Sequence, residues 1–270
     1  MSCCHDAHIA LTPYEILRLS RSLNLSTTEF IDRHLIEGGM VLRNLADGGC
    51  CMLGDGSCRV YSDRPLVCRT YPLLRVVRGQ AESFAKFMPL PTTLGVYGEA
   101  GTVGDFLTEH RTAEFISNHD RYFAVLQRII AAIAAAITSS PKLFPVVREI
   151  IERRTEFHAK TPARLMDVDV VVGDYCGSRG RACPREFDDV IDLHVTAIEE
   201  IAEDLRKGVA RDGSPLDHDD GAASQRWQNQ LADLSELAGA LGAAADANVM
   251  LMLTSAIFGL PNQGRAGTSK

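Results

Sequence analysis

The segment CCMLGDGSCRVYSDRPLVCRTYP, residues 50–72, decides how the amino-terminal part of this chain must fold. It places Cys50, Cys51, Cys58 and Cys68 within nineteen residues and separates them with glycine, aspartate and proline, which favour turns. Turns allow several sulfur atoms to converge on one point from different directions. A lone cysteine is usually a small buried apolar residue, but four in so short a polar stretch indicate metal ligands.

The other cysteines are Cys3 and Cys4 near the amino terminus, and Cys176 and Cys183 beside a glycine-containing loop. Because neighbouring side chains of an extended chain point to opposite faces, we expect one member of each adjacent pair to face the metal. The predicted metal ligands are Cys3, Cys4, Cys51, Cys58 and Cys68. Cys50, Cys176 and Cys183 rank lower, as ligands of the same centre or as half of another one.

The thiolate ligands restrict the choice of metal. They select zinc, copper(I) or iron–sulfur clusters over magnesium and calcium. Six residues separate Cys51 from Cys58 and nine separate Cys58 from Cys68, so the C-x2-C knuckle of structural zinc sites is absent from this stretch. This spacing favours an iron–sulfur cluster, for which we expect the 4Fe–4S type, and zinc stays open. A metal-free redox sensor, with Cys50–Cys51 or Cys176/Cys183 forming disulfides, is a further hypothesis.

Composition narrows the partners and the compartment. A formal net charge of −7 argues against nucleic acid as a partner. The amino terminus lacks a signal-peptide pattern, and the apolar run at 124–137 is shorter than the ~20 residues that cross a bilayer. We therefore expect a cytoplasmic protein that does not bind membranes and that has a protein or peptide partner. In a reducing compartment, eight cysteines are better explained by metal or redox chemistry than by a disulfide framework.

Local patterns predict a mainly α-helical fold, with a small, irregular cysteine-rich subdomain that carries a short hairpin. Thr12-Pro13-Tyr14-Glu15 and Ser26-Thr27-Thr28-Glu29 are capping boxes that start two helices, the second ending at Gly38-Gly39. The hairpin is predicted from LLRVV and ESFAKF, later helices at about 105–117, 119–138, 141–158 and 184–209, and an extended segment at 168–175. The predicted regions are 1–90 for the cysteine cluster, 105–258 for the helices and 259–270 for a flexible tail.

The cysteine motif resembles the YkgJ-type cysteine-cluster family, described as a zinc- or iron-chelating domain. The Cys3-Cys4 pair, the Ile9–Thr12 helix start and the ending C-x-V-Y-x-x-R-P-x-x-C-R-x-Y-P, residues 58–72, carry the resemblance. Members usually have further cysteines before the pair; here these are missing or replaced by Cys50, Cys176 and Cys183. The resemblance implies cysteine-bound metal and covers roughly residues 1–75.

Two functions follow from this pattern. One is a metal-binding protein whose centre is structural or transfers electrons. The other is a modification enzyme such as a lysine N-methylase, because the flagellin lysine methylases resemble this family in their cysteine motif and are linked to an iron–sulfur cluster. The sequence shows no glycine-rich loop for S-adenosylmethionine and names no catalytic residue. Arg64 and Arg69 are expected to donate hydrogen bonds to thiolate sulfurs.

Overall fold

The computed structural model describes residues 4–78, 81–86, 88, 100–155, 162–212 and 221–244. Within these residues the chain is mainly helical with two small antiparallel hairpins, which confirms the predicted fold class. The predicted tail at 259–270 lies outside the described residues. The helices are α1 Pro13–Ser22, α2 Thr27–His34, α3 Leu66–Thr70, α4 Val103–Glu109, α5 Ala113–Ser139, α6 Phe144–Thr155, α7 Val168–Gly177, α8 Phe187–Asp212 and α9 Gly221–Ala244. The strands are β1 Leu35–Ile36, β2 Val41–Leu42, β3 Leu73–Arg78 and β4 Ala81–Lys86.

Both predicted capping boxes start helices. The Thr12 hydroxyl accepts a hydrogen bond from the backbone N–H of Glu15 at the start of α1, and Ser26 does the same for Glu29 at the start of α2. In each case the glutamate side chain accepts a bond from the backbone N–H of the capping residue. These bonds satisfy N–H groups that a helix start would otherwise leave unpaired.

Helix α2 ends earlier than the sequence predicts. It stops at His34, and β1 follows at once and pairs with β2, Leu35 opposite Leu42. Gly38 and Gly39 lie in the turn of this hairpin with φ of +72° and +80°, a conformation that favours glycine. A side chain at Gly39 would also meet Pro162 at 2.9 Å. The prediction that Gly38-Gly39 ends α2 is therefore wrong, because the two glycines form the turn of the hairpin that follows the helix.

The second hairpin agrees with the sequence prediction, whereas the helix boundaries after it differ. Strands β3 and β4 pair in register from Leu73↔Lys86 to Arg78↔Ala81. The break between the next two helices lies at 110–112, ahead of the predicted break at 118, and Arg111 there has a φ of +50°. Helix α5 consequently runs unbroken through the predicted break.

The extended segment predicted at 168–175 is wrong, because these residues form helix α7. Asp167 caps the helix and accepts a hydrogen bond from the backbone N–H of Val170 at 3.3 Å. Val168, Val171 and Val172 are buried, at the three- and four-residue spacing of a helix face. The β-branched composition suggested a strand, but burial at helical spacing and the aspartate cap decide for the helix.

Helix α5 is the central helix of the helical region. It packs against α8 and α9, and α6 packs against α9. Among the described residues, α5 has the length and apolar composition that could cross a membrane, a test that the core helix of a soluble protein also passes. Its buried residues, from Phe115 to Ala136, face the other helices of the protein.

The amino-terminal region, residues 4–78, shares one continuous apolar core with the helical region, residues 113–244. The Tyr14 ring of α1 packs edge-on against Phe115 of α5 and Phe187 of α8, with ring centroids 5.4 and 5.7 Å apart. The Arg21 guanidinium pairs with Asp169 on α7. The short elements that carry the cysteines are thus held directly against the long helices.

Candidate metal centre

Backbone hydrogen bonds bring Cys4 next to the cysteine-rich segment that begins at Cys50. The N–H of Cys50 donates to the carbonyl of Cys4 at 2.6 Å, and the N–H of Asp6 donates to the carbonyl of Gly48 at 2.8 Å. The chain from residue 4 therefore runs beside residues 48–50, as the predicted meeting of the two cysteine pairs requires. Cys3 lies outside the described residues.

A tight turn returns the chain from Cys50 to Cys58. Leu53 pairs with Cys58 across an isolated antiparallel bridge, and the N–H of Gly54 donates to the carbonyl of Ser57 at 2.8 Å. Gly56 within this turn has a φ of +75°, which favours glycine. The glycine spacing that was read as a turn in the sequence thus places Cys58 back towards Cys50.

Glu15 fixes the position of Cys68. Its carboxylate is buried and accepts bonds at both oxygens: Oε2 from the N–H of Thr12, and Oε1 from the N–H of Leu66, each at 2.8 Å. Leu66 is the first residue of α3, which carries Cys68. One carboxylate therefore joins the starts of α1 and α3. The capping box was visible in the sequence, but no sequence signal indicated the second bond, to a residue fifty-one positions away.

Three other thiols lie near enough to Cys68 to act on its charge. Burial raises the pKa of the Cys68 thiol well above its usual value, and the thiols of Cys50, Cys4 and Cys58, followed by the Glu15 carboxylate, raise it further. These groups oppose the ionisation of Cys68, because an added negative charge in a buried place is unfavourable. A bound cation would remove that penalty.

The extended backbone that the predicted opposite orientation of Cys50 and Cys51 assumes is absent. The chain turns at this point, with the N–H of Leu53 donating to the carbonyl of Cys50 at 2.8 Å. The Cys50 side chain lowers the pKa of Cys51, aided by Arg43 and Arg59 and opposed by burial. The Cys51 thiol lies 3.6 Å from the carbonyl oxygen of His34.

Of the adjacent pair, Cys50 is the member whose thiol acts on the pKa of Cys68, and it is the one that the sequence ranked lower. Which of the two sulfurs binds a metal is a prediction for experiment. The orientation of an adjacent pair depends on the turn that follows it, and the sequence pattern does not give that turn's dihedral angles.

The expected hydrogen bonds from Arg64 and Arg69 to sulfur are not formed. The buried Arg69 guanidinium donates to the backbone carbonyls of Ser62, Arg64 and His110, and it lies 3.8 Å from the centroid of the Phe115 ring. Burial, then Arg64 and Arg18, lower the pKa of Arg69 to about 10. Arg64 donates to the carbonyl of Tyr61 at 2.7 Å. Both arginines shape the loop that leads into α3, so their effect on Cys68 is indirect.

Cys176 and Cys183 form a separate thiol pair between α7 and α8. Cys176 is buried at the end of α7 and Cys183 is exposed. Interaction with the Cys176 side chain raises the pKa of the Cys183 thiol. Neither residue is among the groups that raise the pKa of Cys68. Their role as further metal ligands therefore stays a prediction.

The donor set around Cys68 suits a thiophilic metal. None of the described cysteines, Cys4, Cys50, Cys51, Cys58, Cys68, Cys176 and Cys183, forms a disulfide with another described cysteine. Across the part of the chain that the structure describes, no three cysteine, histidine, aspartate or glutamate side chains stand in the geometry of a closed metal site. Binding therefore requires the thiols around Cys68 to draw closer together, and deprotonated sulfur is the soft ligand that zinc and iron–sulfur clusters take.

Comparison with known proteins supports this chemistry. No curated protein and no solved structure matches the chain. A family model does match its amino-terminal third, and it confirms the resemblance that the cysteine motif indicates. Residues 1–89 match the CxxCxxCC family, whose description is a putative zinc- or iron-chelating domain.

Proposed function

We propose that the amino-terminal region holds an iron–sulfur cluster, with Cys4, Cys50, Cys58 and Cys68 as its ligands, in a structural or electron-transfer role. The observation that carries the proposal is that the thiols of Cys50, Cys4 and Cys58 lie near enough to the partly buried Cys68 to raise its pKa. The match of residues 1–89 to a zinc- or iron-chelating domain supports cysteine-bound metal in general. The choice of a cluster over zinc is the further step.

Four thiolates are the ligand number of a 4Fe–4S cluster, and cysteine spacings in such proteins vary widely. The sequence distances between Cys50, Cys58 and Cys68, without a C-x2-C knuckle, fit that pattern better than that of structural zinc. Such a cluster, when bound, accepts and donates one electron at a time. The protein's own part is to bury the thiols and to fix them: Glu15 positions α3, and the turn at Gly56 positions Cys58.

Cys51 has a supporting role in this proposal. Its pKa is lowered by the neighbouring Cys50 side chain and by Arg43 and Arg59, whose positive charges favour a thiolate. A hydrogen bond to a ligand sulfur tunes a cluster and its stability without adding a ligand. Cys51 is thus the natural comparison for Cys50, next to it in the chain and in a similar degree of burial.

We also propose a reducing, cytoplasmic setting and a protein or peptide partner, with neither nucleic acid nor a membrane involved. The net charge of −7 supports the first exclusion, since nucleic-acid binding usually needs a basic face. The lysine N-methylase alternative stays a prediction. Binding of S-adenosylmethionine to the metal-loaded protein, measured by calorimetry, would be needed to favour it.

The test is purification without oxygen, followed by analysis of iron, sulfide and zinc and by absorption spectroscopy, for the wild type, Cys50→Ser and Cys51→Ser. The proposal expects iron and sulfide in equal amounts with broad visible absorption, both largely lost in Cys50→Ser and mostly kept in Cys51→Ser. Stoichiometric zinc without sulfide would replace the cluster by a zinc site. Loss in Cys51→Ser with retention in Cys50→Ser would reverse the ligand assignment.

A further inference from the structure

The loop after α7 folds back on the end of that helix. The backbone N–H groups of Arg179 and Arg181 both donate to the carbonyl of Cys176 at 3.1 Å. Gly180 between them has a φ of +59°, a left-handed conformation that is common where a helix ends. This reversal carries Cys183 back to the last turn of α7, although six residues separate it from Cys176 in the chain.

The two thiols differ in access to solvent. Cys183 Sγ lies 3.8 Å from the carbonyl oxygen of Val172, one helical turn before Cys176, so the exposed thiol lies against the same turn of α7 that carries Cys176. Cys176 is 1% exposed, whereas Cys183 is open to solvent. A reagent in solution can therefore reach one sulfur first, and the other is already in place behind it.

A groove opens at the exposed thiol. It has a volume of about 360 Å³, and its lining includes Arg181, Cys183, Asp189, Asp192 and Thr196. It therefore offers both a cation and carboxylates next to the sulfur. A small zwitterionic disulfide, which carries ammonium and carboxylate groups, has the charges that complement such a groove.

We propose that Cys176 and Cys183 form a reversible dithiol–disulfide pair that exchanges with a small zwitterionic disulfide of the glutathione type. This site lies between α7 and α8 and is independent of the metal proposed in the amino-terminal region. The pair consists of two thiols, one exposed and one buried beside it, which is the arrangement of an attacking and a resolving cysteine.

The exchange balances in two steps. The Cys183 thiolate attacks one sulfur of the small disulfide, a mixed disulfide forms, and the first small thiolate leaves. The Cys176 thiolate then attacks Cys183 sulfur, the protein disulfide forms, and the second small thiolate leaves. The two protons released by Cys183 and Cys176 end on the two small thiols. The cysteines are oxidised and the small disulfide is reduced.

Trypsin separates the two cysteines, so the bond can be read directly. Cleavage after Arg164, Arg179, Arg181 and Arg185 places Cys176 in the peptide 165–179 and Cys183 in the peptide 182–185. The full-length, anaerobically purified protein is treated with oxidised glutathione, its free thiols are blocked with N-ethylmaleimide, and the digest is analysed by mass spectrometry. We expect the two peptides to appear joined by a disulfide.

Two variants separate the steps. In Cys183→Ser the joined peptide disappears and no glutathione is found on Cys176, because the buried thiol is not reached first. In Cys176→Ala glutathione stays on the peptide 182–185, because nothing resolves the mixed disulfide. Arg181→Gln slows the first step by about threefold at low ionic strength, since a neighbouring cation attracts and stabilises the thiolate. Arg179→Gln, whose guanidinium pairs with Glu200, is the control and leaves the rate unchanged.

Two results would overturn the proposal. One is recovery of both cysteines as N-ethylmaleimide adducts at a glutathione disulfide concentration that fully oxidises a small dithiol. The other is linkage that releases metal in proportion, which would make the pair part of the metal centre. Formation of the joined peptide with metal content unchanged, or in protein that contains no metal at all, supports the pair whatever becomes of the iron–sulfur proposal.

Discussion

In the amino-terminal region, side chains such as Glu15 and Arg69 bond directly to backbone atoms of other segments, whereas in the helical region long helices meet through apolar faces. The elements near the cysteines are short, α3 having five residues and α5 twenty-seven. A short helix buries little apolar surface, so its position depends on a few polar bonds. The positions of the thiols should therefore change with single polar substitutions, whereas the same substitutions would have little effect on the packing of two long helices.

The largest expected difference between the two regions concerns metal. Cys68→Ser removes the thiol around which the others gather, and we expect the metal content per chain to fall by more than about tenfold. Cys183→Ser in the helical region is the matched control and should keep the wild-type content. Both are measured by elemental analysis after anaerobic purification. Equal metal in the two variants would remove the distinction between the thiol groups.

The helical region also contains a buried polar group, His194, whose effect on stability can be compared with that of the polar bonds in the amino-terminal region. The Tyr122 hydroxyl is 2.8 Å from Nδ1 of the fully buried His194, and Nε2 of His194 is 3.0 Å from the carbonyl of Leu165. Burial lowers the pKa of His194 to about 4. An unfolded chain takes up that proton near pH 6.5, so protonation favours unfolding between these values.

We therefore expect His194 to contribute stability that is complete above about pH 6.5 and that falls by roughly 3 kcal/mol as the pH drops to 4. Urea unfolding followed by circular dichroism over this range measures the loss. His194→Gln does not titrate, so its pH dependence should be flatter by that amount, although its stability at pH 7 is lower. Both proteins contain the same cysteines, so thiol titration cannot cause the difference between them. If stability changed with pH equally in the wild type and in His194→Gln, His194 would not be the group responsible.

Within the amino-terminal region, the two capping boxes provide a matched test. In the wild type, the N–H groups of Thr12 and Leu66 each donate to a different oxygen of the buried Glu15 carboxylate. Glu15→Gln replaces one of these oxygens by an NH2 group, so one N–H group loses its acceptor. We expect a loss of about 2–3 kcal/mol in the free energy of unfolding, the usual cost of an unsatisfied buried polar group. Glu29→Gln, in the exposed box of α2, should cost clearly less. Similar losses, measured by urea unfolding, would mean that the bond to Leu66 adds nothing.

The smallest expected effect is at Arg64 and Arg69, the arginines on either side of Cys68 in the chain. In Arg69→Lys the charge is retained, but the lysine side chain cannot reach the three carbonyls together. We expect the free energy of unfolding to fall by about 1–2 kcal/mol. Arg64→Lys, at an exposed bond to Tyr61, should leave the thermal midpoint nearly unchanged. Thermal unfolding of both variants decides the point. A larger fall in the thermal midpoint for Arg64→Lys than for Arg69→Lys would show that the exposed Arg64 bond contributes more to the stability of the loop before α3.

Local features were predictable from the sequence and distant ones were not. The two capping boxes and the β3–β4 hairpin depend on residues a few positions apart, and both are present. The valines of α7 were misread because β-branched residues favour strands unless their burial follows a helix. The approach of Cys50 to Cys68 depends on the turn that follows Cys50. The carbonyls that Arg69 binds come together only in the packed structure.

Phe115 lies at the joint between the two regions, with the Arg69 guanidinium on its ring and Tyr14 against its edge. A ring contributed by α5 thus completes the support of the loop that delivers Cys68. The amino-terminal region therefore depends on an aromatic side chain of the helical region to support the loop before Cys68.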